Sequence, residues 1–192
     1  MFDKLRGFLK GKAIITEAEF AFMKPFFIEQ KIKKGEFLQQ AGTVTKYGAF
    51  IVSGCLRSYV IDAKGKEHII QFAPENWWLS DLKSLTAKTP SLYFMDAIED
   101  SELLLIDQPS FQKILDHIPG FASAFQAGIQ KNAITKDQRI VASLSASAEE
   151  RYLDFLKAYP SIALRVPQHM LASYLGITPE TLSRVRKSIL KK

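Results

Sequence analysis

Residues 166–187 read VPQHMLASYLGITPETLSRVRK, and this stretch decides the fold of the C-terminal part of the chain. Ala172 is a small residue of the kind needed where two helices touch. Gly176 follows four residues later, where the chain must leave helical dihedral angles. Thr178 and Pro179 are a favourable N-cap and first residue for a second helix. The spacing therefore predicts two helices joined by a tight turn, a helix-turn-helix.

The second of these helices is predicted to have one apolar and one polar side. The residues expected to pin it onto the first helix are apolar: Leu171, Leu175, Ile177, Leu182 and Val185. The opposite side carries charged side chains, and their spacing places them on one helical face. Arginine can donate to guanine O6 and N7 in the major groove, and glutamate can accept from cytosine N4. The residues expected at DNA are Gln168, His169, Thr178, Pro179, Glu180, Thr181, Ser183, Arg184, Lys187 and Lys191. The alternative is an ordinary helical hairpin with a solvated basic face.

The charge distribution also points to the C-terminal end of the chain as the part that contacts DNA. The formal net charge is +6, and residues 148–192 hold eight lysines and arginines against four acidic residues. A basic terminus suits a phosphate backbone. Charge alone fits a solvated basic tail equally well.

Residues 28–106 have the pattern of a β-rich domain. Four glycines (Gly35, Gly42, Gly54 and Gly65) separate short runs of strand-forming residues. The runs 49–52 and 56–61 flank Ser53-Gly54, which predicts a tight hairpin connection. A second turn at 62–65 leads into a strand at 67–72, and a closing strand is expected at 102–106. Short antiparallel strands with frequent glycine turns predict a sandwich or jelly-roll barrel.

After residue 107 the pattern becomes helical. A short helix is expected over 109–117 and a long one over 121–144, where Phe121, Phe125, Ile129 and Ala133 recur every four residues. This stripe predicts a helix with surface to spare for a second copy of the chain. A capping box at 147–150 begins the next helix, and Pro167 begins another.

Composition and the remaining motifs exclude several classes of protein. A chain of 192 residues with 47% apolar residues can bury a core. The apolar runs are too short to cross a bilayer, and residues 1–6 lack the apolar region of a signal peptide. Cys55 is the single cysteine, so no intramolecular disulfide can form. We therefore expect a cytoplasmic protein with no membrane partner.

Taken together, these motifs resemble the CRP/FNR family of bacterial regulators over nearly the whole chain. The C-terminal stretches that carry the resemblance are 150–152, 166–167, 171–178 and 180–184. Upstream, 34–36, Gly42, 54–57 and 64–67 are similar to the family's N-terminal jelly roll, the cyclic-nucleotide-binding fold. The resemblance implies a β-roll domain with flanking helices (1–118), a long dimerisation helix (119–146) and a DNA-binding helix-turn-helix domain (147–192), in an α+β chain. It places Glu180 and Arg184 on the family's base-reading positions.

The resemblance also locates an effector pocket that departs from the family pattern. Members that bind cyclic nucleotides use a Gly-Glu pair and, ten residues after the glutamate, an arginine followed by serine. Here Ser80 stands for the glycine, Asp81 for the glutamate and Ser91 for the arginine, and Leu92 and Tyr93 follow. An anion buried in a pocket needs a paired cation or several donors. We therefore expect weak or no cyclic AMP binding, although a rearranged phosphate site using Lys83 or Lys88 remains an alternative. The chain stops at Lys192, without the β-wing that the family usually adds.

Two further classes compete with a DNA-binding regulator. Jelly rolls also host cupin metalloenzymes, which need clustered histidines. The β-rich region contains His68 alone, so we expect neither an enzyme nor a metal site, and no cofactor is indicated. The second rival is a ligand-binding module whose helix-turn-helix is vestigial. The expected partners are double-stranded DNA and a second copy of the chain, with RNA polymerase as a further candidate.

Overall fold

The computed structural model describes residues 1–190, apart from the side chain of Lys131. Two helices precede the β-rich region, α1 (Phe2–Leu9) and α2 (Glu17–Met23). The strands are β1 (Ile28–Ile32), β2 (Phe37–Gln39), β3 (Tyr47–Ser53), β4 (Cys55–Ile61), β5 (Glu67–Pro74), β6 (Trp78–Leu79), β7 (Phe94–Ala97) and β8 (Ser101–Asp107), with helix α3 (Leu82–Ala87) between β6 and β7. The C-terminal helices are α4 (Gln108–His117), α5 (Pro119–Ser145), α6 (Ala148–Ala158), α7 (Ile162–Arg165), α8 (Gln168–Leu175) and α9 (Pro179–Ile189).

The eight strands form two four-stranded antiparallel sheets with the orders β1-β8-β3-β6 and β2-β7-β4-β5. Alternate residues of these strands fill the space between the sheets, among them Ala49, Ile51, Leu56 and Leu103, each of which is fully buried. The architecture is a jelly-roll-like fold, and the sequence prediction of a β-roll followed by helices is confirmed at this level.

The expected hairpin at Ser53-Gly54 is wrong. Strands β3 and β4 lie in different sheets, so the chain turns a corner between the sheets at Gly54. Gly54 has φ of 91°, and a Cβ there would lie 2.1 Å from Ser101 Oγ. The turn is therefore too tight and too crowded for any residue with a side chain. The predicted turn at 62–65 does join two paired strands, β4 and β5.

The N-terminal helices cover the outer face of the first sheet. Leu5 and Leu9 of α1 pack with Phe50 of β3 and with Phe121 of α5 in one buried cluster. Helix α2 begins with a capping box, in which Thr16 Oγ1 accepts from the Glu19 amide and the Glu19 carboxylate accepts from the Thr16 amide. This sequence signal, Thr-x-x-Glu, could have located α2 in advance.

A second cluster joins the C-terminal helices to the outer face of the second sheet. Ile69 and Phe72 of β5 pack with Phe155 of α6 and Leu171 of α8. The capping box predicted for α6 is confirmed: Glu150 N donates to Ser147 Oγ over 3.3 Å, and Ser147 N donates to the Glu150 carboxylate over 2.8 Å. The two outer faces thus receive different helices: α1, α2, α4 and the start of α5 cover the first sheet, and α6 and α8 cover the second.

Candidate nucleic-acid interface and effector site

Helices α8 and α9 form a compact pair joined by residues 176–178. Gly176 ends α8 in the left-handed region, with φ of 68° and ψ of 33°. The next amide, of Ile177, donates back to Ala172 O over 3.0 Å, which closes the turn. Thr178 then caps α9, because its side chain accepts from the Thr181 amide over 3.2 Å. The turn is therefore built by the residue types that the sequence analysis singled out.

The contact between α8 and α9 is apolar and tightly closed. Ala172 and Leu182 have no exposed surface, and Leu171 is 1% exposed. A residue larger than alanine at 172 would push α9 away, since Ala172 already fills its space. The inward side of the pair thus fixes how α9 is oriented.

Arg151 of α6 is a bracing residue that sequence reasoning missed. Its Nη1 donates to Leu175 O over 2.7 Å, a carbonyl that the end of α8 leaves without a helical partner. The same nitrogen would lie 3.5 Å from a Cβ at Gly176. A signal was present, because an arginine at 151 belongs to the resemblance to CRP/FNR regulators, but its contact with the turn is visible only in three dimensions.

The outer side of α9 is polar, basic and open. Thr178, Pro179, Glu180, Arg184 and Lys187 are exposed, whereas Thr181 and Ser183 are half-buried. Arg184 Nη2 donates to Thr181 Oγ1 over 3.2 Å, so the guanidinium is held along the helix. Hydrogen bonds from its own backbone amide and from Thr178 lower the pKa of Glu180, which keeps this carboxylate ionised. Gln168 and His169 are exposed at the start of α8, and Lys191 lies outside the described residues.

The helix pair docks on the free edge of the second sheet. Strand β5 is an edge strand, so its outer amides and carbonyls need partners. Ser173 Oγ accepts from Ile69 N and donates to Glu67 O, both over 3.0 Å. Arg139 of α5 donates to Ile70 O over 2.5 Å and to Ile69 O over 2.9 Å. Two side chains from the helical part thus replace a neighbouring strand.

An ion cluster strengthens this docking. Arg165 of α7 donates both terminal nitrogens to the Glu75 carboxylate, each over 2.8 Å, and it also contacts Glu99. Burial is the largest single influence on Glu75 and would raise its pKa, but the hydrogen bonds from Arg165 and from the Glu75 and Gly54 amides, together with the charge of Arg165, outweigh it, and the pKa is lowered. The hydrogen bonds to Glu75 and Glu99 raise the pKa of Arg165. The cluster joins the β-roll to the helix that precedes α8, and sequence reasoning gave no sign of it.

Three of the residues predicted to form the effector pocket, Asp81, Ser91 and Tyr93, are linked by hydrogen bonds. Asp81 caps α3 by accepting from Ser84 N over 3.1 Å, and its second oxygen accepts from Ser91 Oγ over 2.8 Å. Tyr93 N donates to Ser91 Oγ over 3.0 Å. Asp81 and Ser91 are 8% and 2% exposed, so their polar atoms face each other rather than a cavity. Ser80 Oγ is buried without a partner, and Leu92 is 74% exposed, away from this cluster.

This arrangement disfavours a cyclic phosphate at the position that the resemblance assigns to it. Ser91 stands at the arginine position, and its hydroxyl donates to the buried Asp81 carboxylate, so the residue that would pair with the phosphate carries no positive charge. Lys83 and Lys88, the substitutes considered from the sequence, are both exposed. The structure therefore brings Asp81, Ser91 and Tyr93 together as a closed cluster, in which their polar atoms hydrogen-bond to one another.

Helix α5 has two faces, and the predicted stripe is divided between them. Phe121 is 1% exposed, and Phe125 lies 4.6 Å from Phe111 between ring centroids, so both pack against the chain's own β-roll. This corrects the interpretation of these two residues as contacts for a second copy. Ile129 and Ala133 are exposed. A four-residue spacing advances by more than one helical turn, so the stripe rotates from the buried side to the open side.

The open side of α5 carries further apolar residues that the stripe did not include. The exposed fractions are 57% for Ile134, 59% for Ile140, 61% for Val141 and 84% for Leu144. Ala133 and Ile140, and Ile134 and Val141, are seven residues apart, which is close to two turns. These pairs therefore form one exposed apolar surface along the C-terminal half of α5.

The histidine of the β-rich region lies near the start of β5, beside a surface turn. His68 Nε2 lies 2.8 Å from Asp62 Oδ2 on the surface turn between β4 and β5. Within residues 1–190, no three histidine, cysteine or acidic side chains come together in a way that could hold a metal ion. In the same range, no helix has the length and apolarity needed to cross a membrane.

Comparison with known proteins identifies the β-roll. Residues 29–117, from β1 to the end of α4, match the cyclic nucleotide-binding domain family. No curated protein sequence matches the chain. The fold is similar to that of several solved CRP/FNR-type regulators. FixK2 from Bradyrhizobium japonicum has a TM-score of 0.74 at 21% identity, with 86% of this chain and 85% of that chain covered.

Two other structures extend this likeness. The regulator CLP from Xanthomonas campestris, described as c-di-GMP responsive, has a TM-score of 0.72 at 13% identity, with 92% of both chains covered. A CooA mutant from Carboxydothermus hydrogenoformans has a TM-score of 0.69 at 21% identity, covering 89% of this chain and 79% of that chain. At these identities the likeness establishes the fold, a β-roll of the cyclic nucleotide-binding type followed by helices.

Proposed function

We propose that the protein is a sequence-specific DNA-binding transcription regulator of the CRP/FNR type. Its units are a β-roll domain (1–118), a dimerisation helix (119–146) and a helix-turn-helix domain (147–192). The observation that carries the proposal is the α8–α9 pair, in which a closed apolar contact leaves Glu180, Arg184 and Lys187 exposed on one side of α9.

The exposed side of α9 has the chemistry of a base reader. An α-helix fits the major groove, where an arginine can bind guanine through two hydrogen bonds and a glutamate can accept from cytosine. Thr178 and Thr181 lie at the first turn of α9, where their hydroxyl groups and the helix dipole favour a phosphate oxygen. Gln168 and His169 at the start of α8 are exposed beside this face and are proposed to contact the backbone. The bracing by Arg151 supports this role, because a reader must be held at a fixed angle.

The exposed apolar surface of α5 supports a homodimer. Exposed aliphatic residues seven apart on a helix of 27 residues are the pattern that packs against an identical helix. Ile129 and Ala133 belong to this surface, together with the four residues named above. In a parallel dimer each copy would present α9 to one half of a near-palindromic site, with the half-sites about one helical turn apart.

Regulation is proposed to depend on a ligand other than cyclic AMP. The closed pairing of Asp81 with Ser91 supports this. The similar regulator CLP, which is described as responsive to c-di-GMP, supports it as well, because that ligand is a different nucleotide. A cytoplasmic location and a contact with RNA polymerase follow from the proposed role.

Selection of bound sites from a pool of random duplex DNA tests the proposal. The expected result is enrichment of a near-palindromic sequence. A pool that stays random after repeated rounds would exclude sequence-specific binding and would favour a ligand-binding module with a vestigial helix pair.

A further inference from the structure

A groove of about 660 Å³ lies where the β-roll, α5 and the end of α6 meet. Trp77 and Trp78 line it from the β-roll, Gly128 from α5 and Tyr159 from the junction after α6. The volume is in the range of a small-molecule site. The groove therefore touches both the β-roll and the helical unit that carries α9.

The walls of the groove are aromatic. The Trp78 ring lies 6.1 Å from Phe111 and 6.0 Å from Phe125 between centroids, both edge-on. The Trp77 ring lies 5.4 Å from Tyr159. Rings arranged in this way offer both faces and edges to a flat aromatic ligand.

The charge of the lining has one sign. Lys12 and Lys136 line the groove, and none of its lining residues is aspartate or glutamate. The Lys12 ammonium lies 3.3 Å from the centroid of the Phe8 ring, which also lines the groove. Asn76 and Asn132 add amide donors. An aromatic ligand with a negative group would thus find both apolar contact and opposite charge.

The groove is separate from the closed cluster that the resemblance to cyclic-nucleotide-binding proteins singles out. Asp81 and Ser91 do not line it. Ser80 does, and its buried hydroxyl, which has no partner among the described residues, lies near Gly48.

We propose that this groove binds an aromatic organic anion, a flat ring system bearing a carboxylate. The ring packs against the two tryptophans, and the carboxylate lies towards Lys12 or Lys136. Because the ligand would contact Trp77 and Tyr159 together, it would bridge the β-roll and the C-terminal helices. The proposal does not depend on DNA binding, and it is tested without DNA.

Calorimetry with three probes of one ring tests the charge argument: 1-naphthoate, 1-naphthylmethanol and 1-naphthylmethylammonium. The expected order of affinity is anion, neutral, cation, with at least about threefold between the first and the last. Replacing both lysines, Lys12→Gln together with Lys136→Gln, should reduce the preference for the anion and leave the neutral probe nearly unchanged. Equal affinity for all three probes, or no binding of 1-naphthoate at millimolar concentration, would overturn the proposal.

Gly128→Phe tests the location. A Cβ at Gly128 meets no atom within 4 Å, so the ring can enter the groove without displacing the backbone. Replacing glycine within a helix also favours folding. The variant should weaken 1-naphthoate binding by at least about tenfold. Ala127→Phe is the matched control, since Ala127 is the preceding residue of the same helix, is also exposed and is not among the residues that line the groove.

Two further results would contradict the binding of 1-naphthoate in the groove. Unchanged binding to the Gly128→Phe variant would show that 1-naphthoate binds outside the groove. Ile129 and Ala133 of the proposed dimer surface also line the groove. A wild-type dimer that does not bind 1-naphthoate, together with loss of the dimer in the Gly128→Phe variant by light scattering, would therefore identify a second copy of the chain as the occupant. Circular dichroism of all variants verifies that they are folded.

Discussion

At the scale of single residues, the proposed sequence-specific reading of DNA depends most on Arg184. It is exposed, and its hydrogen bond to Thr181 holds it along the outer side of α9. Arg186, two residues later on the same helix, is half-buried and points to a different side. Arg184 and Arg186 therefore carry the same charge but extend from different sides of α9.

Replacing Arg184 by alanine should therefore change base preference, whereas replacing Arg186 should not. We expect Arg184→Ala to cost about 1–3 kcal/mol on the selected site and to relax preference at one base pair in each half-site. Arg186→Ala removes one charge and should weaken specific and scrambled duplexes about equally. Competitive binding of the selected and scrambled duplexes, measured over a salt series, compares the two variants. Equal losses on both duplexes for Arg184→Ala would assign it a purely electrostatic role.

Glu180→Ala should also change base preference. Removing its negative charge favours binding to all DNA, so the change is expected in the ratio of the two affinities rather than in either alone. The same competition experiment measures it, and an unchanged ratio would remove Glu180 from the set of reading residues.

Asp81 and Ser91 lead to a prediction about the effector. Ser91 stands where a cyclic phosphate would need a cation, and its hydroxyl already donates to the buried Asp81 carboxylate. Calorimetry with cyclic AMP and cyclic GMP should give weak or undetectable binding. A micromolar or tighter dissociation constant for either nucleotide would mean that this cluster opens to receive it.

At the scale of elements, α5 shows what a helical period can and cannot predict. The length of α5 could be predicted because no proline interrupts the helical pattern after Pro119. Four-residue spacing predicts an apolar stripe, but it does not say which side meets the chain's own β-roll. Phe121 and Phe125 meet it because Phe111 and Trp78 provide an aromatic surface at that point. The exposed apolar surface then begins further along, near Ile129.

Ile140→Glu should disrupt the proposed homodimer. Ile140 is 59% exposed, so the change costs little within one copy, but in a symmetric dimer it brings two negative charges into an apolar contact. Ser143→Glu, also exposed on α5, is the matched control and should leave the dimer intact. Light scattering at micromolar concentration distinguishes them. A wild-type monomer with and without DNA would contradict the dimer outright.

At the scale of the whole molecule, the β-roll and the C-terminal helices are held together by polar contacts at an open sheet edge. Both units could be predicted in outline from the sequence, since turn glycines, capping boxes and helical periods are local signals. Arg139, Arg165 and Ser173 could not, because each contacts residues about 70 to 105 positions away. Such contacts leave no periodic trace in the sequence. The same holds for the corner at Gly54, where the crowding comes from Ser101.

Arg165→Ala should loosen this junction. The cluster is partly buried, with side-chain exposures of 27% for Arg165 and 36% for Glu75, so we expect a loss of about 1 kcal/mol in the free energy of unfolding. The control is Lys157→Ala, whose pair with Asp154 is exposed and should contribute little. Denaturant titration compares the two variants with wild type. An unchanged midpoint for Arg165→Ala would show that the cluster does not stabilise the docked arrangement.

The same variant should alter the dependence of stability on pH. The pKa of Glu75 is lowered in the folded chain, so its contribution is complete above the ordinary value of 4.5 and is lost as the pH falls through the lowered value. The difference between wild type and Arg165→Ala should therefore narrow as the pH drops below 4.5. A difference that stays constant from neutral pH down to unfolding would contradict this assignment.

The ratio of two affinities tests the central claim most directly: wild-type protein binding to the selected duplex and to a scrambled duplex of the same composition, at one fixed salt concentration. If α9 reads bases, the selected duplex should bind at least about a thousandfold more tightly. A ratio near one at every salt concentration would mean that the basic helix binds only the phosphate backbone, and the protein would not be a sequence-specific regulator.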